Sequence, residues 1–144
     1  MVLVYLSAAR TCNKLENGSY VQAEIIYNEK TFIRTELMKS VTEDEAKLLM
    51  TQKLLAKIPW TTEAVTVFWG NEEIGHDAEM ANVGKWGQVH HYEEWREIFE
   101  LQKRFALFVS HRSKGALSDY LNLNFNRTLA KGNDLLIEAE KVVS

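Results

Sequence analysis

The stretch TEDEAKLLMTQKLLAKIPWTTEAVTVFWG, residues 42–70, decides the fold. Thr42-Glu43-Asp44-Glu45 is a capping box, in which a threonine hydroxyl and the glutamate three residues on satisfy each other's free backbone amides, so a helix starts there. Ala46, Leu49, Met50, Leu54 and Ile58 recur at helical spacing, and Pro59 closes the segment. Residues 64–69, Ala-Val-Thr-Val-Phe-Trp, then form a compact apolar strand that Gly70 ends. A strand reached through a helical crossover is expected to lie parallel to, and beside, the first strand of the sheet.

Upstream of this unit the chain reads as strands. Residues 2–6, Val-Leu-Val-Tyr-Leu, are a short apolar run suited to a strand buried on both faces. Residues 13–18 make a polar turn. Over residues 20–27, Val21, Ala23 and Ile25 alternate with Gln22 and Glu24, the period of a half-buried strand. Asn28-Glu29-Lys30 is a tight connection into residues 31–38, rich in β-branched and apolar side chains, so three consecutive strands form an antiparallel meander. Downstream, residues 92–105 are a helix with Trp95, Ile98, Phe99 and Gln102 on one stripe, and residues 106–109 are a fifth strand. Leu117, Leu121, Phe125 and Leu129 fall four apart on a further helix that Gly132 ends. A last helix starts near Asp134, with Leu135, Leu136, Ala139 and Val143 facing inward.

Composition bounds the function. At 144 residues, with 46% hydrophobic and 26% charged content, the chain is expected to be one domain, residues 1–144, with no linker, repeat or low-complexity stretch. A net charge of −3 supplies no global cationic field, so contact with nucleic acid has to be local. Cys12 is the only cysteine, which excludes an intrachain disulfide and a cysteine-rich zinc site. The apolar run at residues 2–6 is too short to span a membrane and lacks the basic flank of a signal peptide. An intracellular, cytoplasmic location is the expectation, with no membrane partner.

Three strands, helix, strand, helical region, strand, helix is an order that resembles the ribonuclease H-like superfamily over nearly the whole chain. Local sequence carries the resemblance. Val4-Tyr5-Leu6-Ser7-Ala8-Ala9 stands where the family has a Tyr-Thr-Asp-Gly-Ser strand end, and Thr42-Glu43-Asp44-Glu45-Ala46-Lys47 is similar to its Thr-Asn-Asn-Glu-Ala-Glu helix start. Val67-Phe68-Trp69-Gly70-Asn71 resembles its strand ending in Thr-Asp-Ser. Glu94-Trp95 through Phe108-Val109-Ser110-His111 is similar to its Leu-Trp helix leading to a Trp-Val-x-Gly-His strand end, and Leu129-Ala130-Lys131 to its closing Asp-x-Leu-Ala-Arg. The fold this implies is α/β: a five-stranded mixed sheet with an antiparallel 1-2-3 meander and helices on both faces.

The family gathers four carboxylates around two divalent metals about 3.5–4 Å apart, which activate a water and stabilise the departing oxygen of a phosphodiester. At the matching positions this sequence has Ser7, Lys47, Gly70 and, near the last one, Arg127. A lysine in a metal shell repels the ions. The resemblance therefore implies a degenerate member without catalysis, a binding or assembly module for a protein partner or a structured nucleic acid, with no cofactor and no metal expected. A homodimer is one assembly compatible with it. The alternative is a metal-dependent endonuclease cleaving RNA in RNA–DNA hybrids through a rearranged site, with magnesium or manganese held by Glu45 and Glu72 and with His111, the counterpart of the histidine in the family's mobile catalytic loop.

Other candidate chemistry weighs less. His76, Asp77, Glu79, His90 and His91 are metal-ligating residue types, but the segment reads more simply as a polar, exposed loop. Arg112 and Lys114, in a small basic loop with Gly115, are the best phosphate contacts. Trp69 and Trp95 belong in the core. Trp86, in the Gly84-Lys85-Trp86-Gly87 turn, has no periodic reason to be buried and is the candidate partner anchor. Ser7, His111 and Asp119 have the residue types of a hydrolytic triad, but no nucleophile elbow surrounds Ser7.

Overall fold

The computed structural model describes residues 1–10, 18–59 and 62–111. Its elements are β1 (Val2–Arg10), β2 (Gly18–Tyr27), β3 (Lys30–Lys39), α1 (Glu43–Lys57), β4 (Ala64–Phe68), α2 (Glu72–Asn82), a 3-10 turn at Trp86–Gln88, α3 (Tyr92–Gln102) and β5 (Leu107–His111). The sheet order is β3-β2-β1-β4-β5. β1, β2 and β3 are antiparallel neighbours, whereas β4 runs parallel to β1 and β5 parallel to β4. The meander and the parallel crossover are thus as the sequence predicts. The helices expected at 117–132 and from 134, and most of the turn expected at 13–18, lie outside the described residues.

The hairpin between β2 and β3 closes on the pair Tyr27 and Lys30. Asn28 (φ 50°) and Glu29 (φ 63°) are both left-handed, the two-residue turn whose twist matches that of the flanking strands. Asparagine tolerates that conformation well; glutamate is held there by the ladder on either side.

Alternation along the strands places Val2, Val4, Leu6, Val21, Ala23, Ile25, Val65 and Val67 on one face of the sheet, all buried. The α1 helix packs on β1, β2 and α3. At its start, Thr42 Oγ1 accepts from Glu45 N at 3.2 Å and donates to Glu45 Oε1 at 3.1 Å. Helical spacing alone assigns Leu49 to the buried stripe, but Leu48 (0% exposed) and Leu55 (1%) are more deeply buried. A helix covered by both a sheet and a second helix buries a wider arc than a single stripe. Its seam with α3 is tied by Gln52 Nε2 donating to Glu94 O at 3.0 Å, and its last turn by Arg104 Nη1 donating to Leu55 O at 3.1 Å.

Three expectations change. β1 and β3 are longer than the apolar runs that announce them, because ladder pairing continues through small and polar residues such as Ser7-Ala8-Ala9. Residues 72–82 form a helix, not a polar loop. Gln22 and Glu24, which strict alternation places on an open face, are each only 5% exposed. Gln22 is satisfied by donating from Nε2 to Thr35 Oγ1 at 3.0 Å.

Burial pushes the Glu24 carboxyl above the usual carboxylate range. A raised folded-state pKa means that the ionised form opposes folding at neutral pH and that stability is regained as pH falls toward the unfolded value. Glu24→Gln is therefore expected to stabilise the protein at pH 7. That gain should vanish near pH 3.5, below the ordinary glutamate pKa of about 4.3, where both side chains are neutral. Urea unfolding at the two pH values checks this, and an equal gain at both would show that charge burial is not its cause.

Candidate functional site

The parallel pairing of β1 with β4 matches Tyr5 to Phe68. Ser7 lies two residues beyond that pair on β1, and Gly70 two residues beyond it in the turn that follows β4. On the other side of β4, Phe68 pairs with His111 of β5, whose carbonyl accepts from Trp69 N at 3.1 Å. The positions that the family resemblance assigns to the first and second aspartates thus follow the last paired residues of adjacent strands β1 and β4, where β5 also ends at His111.

α1 reaches this place with two side chains from successive turns. Lys47 is 8% exposed, and its Nζ donates to Trp69 O at 2.7 Å. Asp44 Oδ1 accepts from Asn71 Nδ2 at 2.9 Å. Asn71 in turn is the N-cap of α2, its Oδ1 accepting from Glu73 N (2.8 Å) and Ile74 N (3.1 Å). Gly70 has φ +65°, the left-handed conformation that lets the chain turn from β4 into α2 through the three residues Trp69, Gly70 and Asn71. An ammonium on a carbonyl and a carboxylate on an amide thus hold the β4–α2 turn against α1.

Among the described residues this donor set does not fit a pair of divalent ions. Ser7 offers a neutral hydroxyl, Gly70 no side chain, and Lys47 a cation already bonded to a carbonyl. Asp44 is a carboxylate in the right neighbourhood, but it serves Asn71. No group of three or more His, Cys, Asp or Glu side chains is placed to hold a metal among those residues.

The substitute residues of the alternative reading are engaged elsewhere. The Glu45 carboxylate meets the Thr42 hydroxyl at the start of α1. Glu72 is exposed on the first turn of α2, where it lines a shallow depression with Glu73, His76 and His90. His111 is exposed, its ring stacked on Phe68 with centroids 5.0 Å apart. No hydrogen bond or ion pair among the described residues joins the three. Arg112, Lys114, Asp119 and Arg127 lie outside the described residues.

Trp86 does not stand on an open turn. It is half-buried and packs edge-on against Tyr92 and Phe99, with ring centroids 5.5 Å away in each case. The Arg96 guanidinium lies over its ring at 5.7 Å. Its own α3 is thus the surface it anchors to, and tertiary packing supplies the burial that sequence periodicity does not. In the same region Asp77, 2% exposed, bonds His90 Nδ1 at 3.1 Å.

Sequence reasoning passed over Asp44 as a site residue, the N-cap role of Asn71 and the burial of Asp77 within a helix. A signal for the first two was present: asparagine followed by Glu72-Glu73 is an N-cap with an acidic first turn, and Ile74, Ala78 and Ala81 follow at helical spacing. Asp77 is buried in the middle of that missed helix, where its polarity argued for a loop.

No family model and no curated protein matches the chain. Solved structures do. The foamy viral protease–reverse transcriptase in complex with an RNA/DNA hybrid aligns with 85% of this chain at TM-score 0.60 and 13% identity, and the alignment spans 18% of that protein. RNase H1 from the halophilic archaeon Halobacterium salinarum NRC-1 aligns at TM-score 0.58 and 13% identity, covering 91% of this chain and 98% of the other. LC11-RNase H1, in complex with an RNA/DNA hybrid, aligns at 0.55 and 16%, covering 90% and 99%. The chain has the ribonuclease H-like fold.

Proposed function

We propose that residues 1–144 are a single ribonuclease H-like domain that binds structured nucleic acid without cleaving it. Lys47 carries this reading: its buried ammonium is bonded to the carbonyl of Trp69 at the position that the resemblance assigns to a metal-binding glutamate. A fixed positive charge there opposes the approach of divalent ions in a partly desolvated setting, where charge repulsion is stronger than in water. Two solved neighbours are complexes with RNA/DNA hybrids, which makes a hybrid the first probe.

The test is incubation with a labelled RNA–DNA hybrid in magnesium, in manganese and in EDTA, with binding read by fluorescence anisotropy. The expected result is binding that persists in EDTA and weakens with salt, with no cleavage in any buffer. A working metal site at 100 times its Kd would add about 2.7 kcal/mol of stability, so the melting temperature should stay unchanged as either ion is added. Divalent-dependent cleavage that Glu45→Gln, Glu72→Gln or Asp44→Asn abolishes would overturn the proposal in favour of the rearranged nuclease. Absence of hybrid binding would overturn its nucleic-acid half and leave assembly with a protein partner.

A further inference from the structure

On the sheet face opposite the apolar core, the strand registers line up one row across four strands: Glu24 pairs with Tyr5, Tyr5 with Phe68, and Phe68 with His111. Three of these side chains are rings, and they are stacked. Tyr5 and Phe68 lie 4.7 Å apart with planes 5° from parallel, and Phe68 and His111 lie 5.0 Å apart with planes 14° from parallel. These spacings match the separation of neighbouring strands, about 4.8 Å, so the stack advances one ring per strand. Exposure rises along it, from buried Tyr5 through half-buried Phe68 to exposed His111.

β5 is the last strand of the sheet, and among the described residues no strand lies beyond it. The His111 ring is exposed, and among the described residues it is the last ring of the stack. Its inner face is fixed by Phe68, and the backbone beneath it by the bond from Trp69 N. A flat aromatic group placed about one strand spacing beyond His111 would continue the series. An exposed ring already held in one plane by stacking loses little freedom on receiving another, which is how aromatic side chains serve as platforms for unpaired bases.

We infer that His111 is a stacking platform for one unpaired nucleobase, set at the β5 edge of the sheet. A base within an intact duplex has both faces covered by its neighbours, so the ligand is a bulged base. This rests on the nucleic-acid reading above and specifies which feature of the nucleic acid is recognised. The imidazole contributes as a planar ring, so phenylalanine should replace it.

The test compares two hybrids of one sequence, one fully paired and one with a single bulged 2-aminopurine. The bulged hybrid is expected to bind the wild-type protein about tenfold more tightly, as the added base–aromatic stacking predicts, and its fluorescence should be quenched on binding. His111→Ala should reduce binding to the level of the paired hybrid, and His111→Phe should keep the preference and the quenching. Each variant is first checked for an unchanged melting temperature, expected because the ring is exposed. Equal affinity of wild type for the two hybrids, or a preference that survives His111→Ala, overturns the platform while leaving the binding module intact. Failure of both hybrids to bind overturns the nucleic-acid reading itself and the platform with it.

Discussion

Lys47→Met is expected to lower the unfolding free energy by about 2 kcal/mol, and Lys47→Glu by about 4 kcal/mol. Methionine fills the same volume but leaves the Trp69 carbonyl without the ammonium that now donates to it at 2.7 Å, and an unsatisfied buried acceptor costs about 1–3 kcal/mol. Glutamate does worse, because it sets a second negative group against that carbonyl at a position 8% exposed. Urea unfolding measures both, with the midpoint expected to fall and the slope to stay constant. The contrast with a metal site is direct: where carboxylates hold an ion, a neutral replacement of a lysine would relieve repulsion and stabilise. A gain on Lys47→Met, or a change below about 0.5 kcal/mol, would show that the ammonium is not what ties α1 to the β4–α2 turn.

Trp69→Ala is expected to cost about 4 kcal/mol, against about 1 kcal/mol for Trp86→Ala. Both rings are packed edge-on against aromatic neighbours, so ring contacts alone do not separate them. Trp69 is 0% exposed and meets Trp95 with centroids 5.3 Å apart at 63°. Removing it leaves a cavity in the fully buried core, and it disturbs the segment whose carbonyl receives Lys47 and whose amide is bonded to His111. Trp86 is half-buried at the periphery, and its loss opens a site to solvent. Thermal melting of the two variants decides the matter, and equal losses would move Trp86 into the structural core.

Much of the fold was legible. Apolar alternation marked β2, the Thr42-Glu45 box marked the start of α1, and the strand–helix–strand order required β4 to lie parallel beside β1. α2 was not legible because only Ile74, Ala78 and Ala81 carry its apolar face, while His76, Asp77 and Glu79 between them are the composition of a loop. The candidate site was half legible. Sequence positions identified Ser7, Lys47 and Gly70 as the places to look, but not the pairing of Asp44 with Asn71, which depends on where two helices start relative to one strand end.

What this chain settles by its sequence alone is most of what depends on neighbours along the backbone, the polar helix α2 being the exception. Caps, turns, strand periods and the handed crossover act within a few residues or within one strand–helix–strand unit, and so they can be read in order. That Ser7, Lys47 and Gly70 are not carboxylates is of the same kind, since it is a matter of residue identity. Only the tertiary structure decides where a charge finds its partner and which rings meet. Lys47 and Trp69 are 22 residues apart, and the stack of Tyr5, Phe68 and His111 gathers one ring from each of three strands. Such contacts follow from register and packing across the sheet, which act between residues distant in the chain and leave no periodic trace in its order.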